Sequence, residues 1–235
     1  MDRFANYFER FQTLMGNAKS CVELYHGPDD EVAPDEYADL FRWMWVASVS
    51  ALDKLVHDLA REGMLIIFEE RFANAHKRFV MFYLEVCKKK MELPSESSKF
   101  KQWILEQHRT KSFQTMRNIA DALALILPEL SQIPEDKNNK GAKTKRSRTL
   151  AQRILELMPD DFSSLTWEDL HDAFDAMITR RNQIVHEGDY QTRRFDERQT
   201  VTKAEAEKTW KYMNGVGKAV YQMVQDHFSA DGGDE

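Results

Sequence analysis

An arginine, an asparagine and a histidine occupy positions 181, 182 and 186 of the stretch RRNQIVHEGD, residues 180–189. Arginine is always charged and offers a planar fork of donors that fits phosphate oxygens, whereas histidine titrates near neutral pH and can move a proton. Arg181 and His186 together suit phosphodiester cleavage without a metal, and the Asn182 amide can orient the imidazole or bond a phosphate or ribose oxygen. On a helix, Arg181 projects near the centre of the apolar stripe made by Leu170, Phe174, Met177, Ile184 and Val185. A guanidinium placed there must pair with a carboxylate, be held by several acceptors, or look into a cleft that a ligand anion can enter. Asn182 and His186 lie together on the flank of the stripe, and Gly188 can adopt a positive φ and swing the last turn toward the arginine side. The competing reading makes Arg181 half of an internal salt bridge and His186 a cation at a helix C-terminus. Spacing alone leans toward that second reading, because an Arg and a His five apart are common by chance.

Helices must position these groups. Phe4, Phe8, Phe11, Met15, Ala18 and Val22 recur at three and four residues, which predicts a first helix that HGPDD stops. A second helix is predicted from Pro34 to Gly63, and it is apolar almost all round because Trp43, Trp45, Val46 and Val49 flank its main stripe, as expected of a central helix. Helical patterns continue to Pro128. A short helix is expected over Leu150–Met158, then one that starts at Thr166, with Asp169 completing a capping box, and runs to Glu187. Thr202 and Glu205 open the last helix, which extends to Phe228. The expected fold is all-α, with an N-terminal helical extension over residues 1–33, a main domain over 34–228 and a disordered tail over 229–235. A polar loop interrupts the main domain at 131–149, and its end is basic. It reads first as a solvated loop, although Lys143, Lys145, Arg146 and Arg148 could hold an RNA backbone by charge alone.

Composition narrows the class. With 42% hydrophobic and 31% charged residues but only 9 Gly and 6 Pro, the chain has what a water-soluble helical protein needs. A net charge of -6 argues against a generally basic nucleic-acid coat protein, while leaving room for a local basic patch. Two cysteines, Cys21 and Cys87, are too few for a disulfide framework and point to a reducing cytoplasm. No signal sequence or membrane span is evident. The histidines lack metal-ligand spacing and no phosphate-cradling Gly-rich loop occurs, so neither a metal nor another cofactor is expected.

The segment Arg181–His186 resembles the R-X4-6-H signature of the HEPN superfamily, including the asparagine after the arginine and the HEGD ending. SALDKLVHDLAREG (residues 50–63) and SFQTMRNI (residues 112–119) are similar to the early and middle segments of the RiboL-PSP type of HEPN domain. This resemblance implies a HEPN-like helical bundle, a homodimer whose two motifs face one another, and a metal-independent endoribonuclease that leaves 2',3'-cyclic phosphate ends. In that role His186 acts as general base or acid and Arg181 stabilises charge on the phosphate. It further implies a toxin or effector in prokaryotic antiphage or toxin–antitoxin defence, with RNA and an antitoxin or defence-system protein as partners. The alternative is a non-catalytic HEPN module that regulates a partner protein. Asp53 lies on the helix that the resemblance places near the motif, which makes it a candidate partner for Arg181; pairing with a neighbouring Lys or Arg is the equal alternative.

Overall fold

The computed structural model describes residues 2–28, 35–73, 75–133, 144–191 and 194–230. Its centre is α2 (Asp35–Glu69), following α1 (Ala5–Ser20). Phe41, Met44, Leu52, Leu55, Leu59 and Met64 of α2 are fully buried, so its near-continuous apolar surface packs as the sequence predicts; Trp43 alone stays 48% exposed. The helix runs through Gly63 rather than ending there. A β-carbon at Gly63 would lie 2.9 Å from Ile126, so this glycine permits close packing and does not act as a stop. The chain turns instead at Arg71 and Phe72, both with positive φ.

Two helices clasp α2: α1 and the C-terminal α9 (Lys203–Ala230). The α1 helix is part of the core, since Phe4, Phe11 and Met15 join the main apolar cluster. Phe8 stacks on Tyr221 at 4.1 Å, and Arg3 pairs with Glu62 of α2 at 2.6 Å. An amphipathic N-terminal helix has nowhere to bury its aromatic stripe alone, which explains why it docks.

The remaining helices are α3 (Lys77–Lys90), α4 (Ser97–His108), α5 (Met116–Leu123), α6 (Pro128–Ser131), α7 (Lys145–Leu157) and α8 (Trp167–Glu187). The all-α expectation holds for the bundle. A small antiparallel ribbon, β1 (Tyr190–Gln191) and β2 (Arg194–Arg198), follows α8 and pairs Tyr190 with Arg198 and Gln191 with Arg194. Such a short ribbon has no room for a readable alternation, and the sequence reading placed no strand there. The α7 helix starts five residues before its predicted position. Thr144 and Ser147 form its capping box, with serine where glutamate or glutamine normally completes the pattern. No helix among the described residues is long and apolar enough to cross a membrane. Residues 231–235, most of the expected tail, and Lys143 lie outside the described residues.

Candidate active site

The α8 helix begins and ends where its sequence signals stand. The Thr166 hydroxyl accepts the Asp169 N–H at 3.2 Å while the Asp169 carboxylate accepts the Thr166 N–H at 2.9 Å. Gly188 (φ 62°) and Asp189 (φ 69°) both turn left-handed, and the Asp189 N–H closes a Schellman-type turn on the Gln183 carbonyl at 3.2 Å.

Along this helix the apolar stripe loses its cover. Leu170, Phe174, Met177 and Ile178 are buried in the core, whereas Ile184 is only half-buried and Val185 is 46% exposed. Arg181 sits on the same stripe, half-buried. One of its Nη atoms donates to Asn182 Oδ1 at 3.1 Å, and its Nε is buried without a hydrogen-bond partner. No carboxylate pairs with it among the described residues. Asn182, which accepts that bond, and His186 are both exposed. Arg181, Asn182, Val185 and His186 are related by three and four residues and form one surface patch. Gly188 is left-handed as expected, but α8 remains helical through Glu187, so the last turn does not swing His186 toward the arginine side. The Arg181 and His186 side chains stay roughly 140° apart around the helix axis.

Asp53 is not the partner of Arg181. Its carboxylate accepts the Phe113 N–H at 2.6 Å and lies 3.9 Å from His57. The helices run antiparallel: Trp45 donates its indole N–H to the Met177 carbonyl at 2.9 Å, and Arg42 meets Asp189. Asp53 therefore stands about 12 Å further along α2 and away from the end of α8 that holds the motif. His57 contacts His108 and Phe113 edge to face or tilted. Burial, with His57 and Lys111 beside it, pushes the His108 imidazole down to about 3. The unfolded chain takes up this proton below about 6.5 while the folded protein does not, so stability decreases as pH falls from about 6.5 toward 3. Urea midpoints should fall across that range more steeply for the wild type than for His108→Leu. Equal slopes would contradict this assignment.

The basic segment divides into unlike parts. Lys145 and Arg148 are exposed, and the Arg148 guanidinium lies 5.2 Å above the Trp167 ring. Arg146 is a correction: it is only 5% exposed, donates to the Leu130 and Ile133 carbonyls at 3.0 and 2.8 Å, and pairs with Asp121. It ties α5, α6 and α7 together and cannot reach RNA. We expect Arg146→Ala to cost about 2–3 kcal/mol, reduced from the full buried-pair value because Asp121 is partly exposed. Lys145→Ala and Arg148→Ala should each change stability by about 0.5 kcal/mol or less. Thermal melts of the three variants test this, and an Arg146→Ala melt equal to wild type would contradict it.

Sequence reasoning missed the groups that fix this end of α8. Arg180, to which the sequence assigned no role, donates to Asp189 Oδ2 at 2.9 Å, and Arg42 of α2 donates to the same oxygen at 2.6 Å. Asp189 is completely buried. Burial pulls the pKa of Arg180 down, Asp189 opposes the shift and Arg42 adds to it; the group is still a cation at neutral pH. The only sequence signal was an acidic residue directly after a C-cap glycine.

The bundle defines the class: an all-α domain with Arg, Asn and His at the end of its penultimate long helix. The chain matches the RiboL-PSP-HEPN family over residues 17–224, and it belongs to that family. HEPN domains are often ribonucleases. No curated protein and no solved structure matches the chain.

Proposed function

We propose that this protein is a metal-independent endoribonuclease of the HEPN type, acting as a toxin or effector in prokaryotic defence in the cytoplasm. The observation that carries the reading is the end of α8, where exposed Asn182 and His186 lie to one side of a half-buried arginine that has no carboxylate partner among the described residues. The solvent-facing part of this half-buried guanidinium is open to a phosphate oxygen, which its planar fork of donors fits. His186 takes the proton of a ribose 2'-hydroxyl as its oxygen attacks phosphorus. The bond from phosphorus to the 5'-oxygen breaks, that oxygen receives a proton from a second imidazole, and Arg181 stabilises the phosphorane charge. The products are a 2',3'-cyclic phosphate and a 5'-hydroxyl.

One α8 supplies one histidine, and its Arg181 faces a different side of the helix. A two-fold homodimer with the α8 ends near the axis supplies the second imidazole and sets one protomer's arginine beside its partner's histidine. The uncovered Val185 supports that arrangement. Val185→Glu is expected to dissociate the dimer in sedimentation and abolish cleavage while leaving the thermal midpoint of the monomer unchanged. A monomeric wild type that cleaves RNA at micromolar concentration would contradict the dimer. Incubation of the full chain with total RNA in chelator, followed by end-group analysis, tests the activity itself. RNA left intact in every condition would leave a binding module.

A further inference from the structure

We infer that Asp189 is a positioning residue that holds the last turn of α8 against α2 and thereby sets the place of His186; only the activity arm of its test rests on the ribonuclease reading. The His186 side chain makes no hydrogen bond among the described residues, so the helix turn sets the point from which its imidazole projects. The contacts are on the residues around it. Arg198 Nε donates to the Gly188 carbonyl at 3.1 Å, Gln199 N–H donates to the Asp189 carbonyl at 2.8 Å, and Gln199 Nε2 donates to Gln183 Oε1 at 3.2 Å.

Asp189 is the centre of these ties. It keeps a left-handed backbone without being glycine, a conformation that persists only where its surroundings over-determine it. Its Oδ2 gathers Arg42 and Arg180, while Oδ1 is buried without a partner. One carboxylate cannot neutralise two guanidinium groups. Arg42 therefore also reaches Asp39 at 3.1 Å and the Gln199 carbonyl at 2.8 Å, and Arg180 reaches the Thr200 carbonyl at 3.1 Å. Buried ionic clusters are commonly less stabilising than apolar packing of the same volume. What this cluster supplies is direction: it forces residues 188 and 189, two and three positions beyond the histidine, into one place on α2.

The test uses the full-length chain carrying Asp189→Asn, which keeps the size and an acceptor but removes the charge. Arg180→Met is the milder companion, since it leaves the Arg42 contact intact. Without RNA, amide hydrogen exchange at residues 185–188 should accelerate about tenfold or more in Asp189→Asn, while exchange at 170–178 changes less than about twofold. The His186 ring resonances should move. With RNA, kcat should fall about tenfold or more with KM within about twofold. Arg180→Met should give the same pattern at smaller amplitude. Exchange that rises evenly along α8, or unchanged ring resonances and kcat in either folded variant, would overturn the inference and leave Asp189 as scaffolding. If wild type does not cut RNA, the ribonuclease reading fails separately, and the exchange and resonance measurements still decide the positioning role.

Discussion

His186→Ala is expected to fold and dimerise as wild type does and to cleave RNA about a hundredfold to ten-thousandfold more slowly, the usual loss when a proton-transfer group is removed. The imidazole is exposed and makes no hydrogen bond among the described residues, so its removal leaves no cavity and strands none of them. Arg181→Ala should fail in a similar way. With Asp53 engaged by Phe113 and not by Arg181, its loss strands no carboxylate, and the stability change should stay within about 1 kcal/mol. Arg181→Lys keeps charge but not the fork, and should restore little cleavage. Melting curves and initial cleavage rates of the three variants are the measurement. If His186→Ala cleaves as fast as wild type, the imidazole moves no proton and the function proposed for α8 is wrong.

Arg42→Ala should fail through the fold. The Arg42 side chain is 6% exposed and faces an Asp189 side chain that is 0% exposed, so truncation leaves Asp189 buried beside one cation in place of two. Breaking a buried pair costs about 3–5 kcal/mol, and the remaining Arg180 contact puts the expected loss at about 3 kcal/mol. At about 2–4 °C per kcal/mol for a chain of this length, the melting temperature should fall by roughly 6–12 °C. A melting temperature for Arg42→Ala within about 2 °C of wild type would show that the pair contributes little.

What could be read from the amino acids alone is what depends on neighbours in the chain. The two capping boxes at Thr166 and Thr202, the left-handed stop at Gly188 and the central helix with its surplus of apolar residues all follow from contacts within about four residues, and all are present. Partners distant in sequence could not be read. Arg42 finds Asp189 across 147 residues and Arg146 finds Asp121 across 25, and local pattern cannot choose among 33 basic and 39 acidic side chains. Gly63 reads as a helix stop from composition but is a packing contact, because only the approach of Ile126 makes a missing β-carbon useful. Arg146 reads as surface charge in a basic run but is buried, because the helix that starts at Lys145 turns it inward toward the Leu130 and Ile133 carbonyls. The sequence by itself determined which residues could do chemistry and which helix carries them. Only the tertiary structure decided that Arg181 meets no carboxylate among the described residues and that Asp189 has two arginines, since pairing over long range is set by how the helices pack and not by the residues on either side.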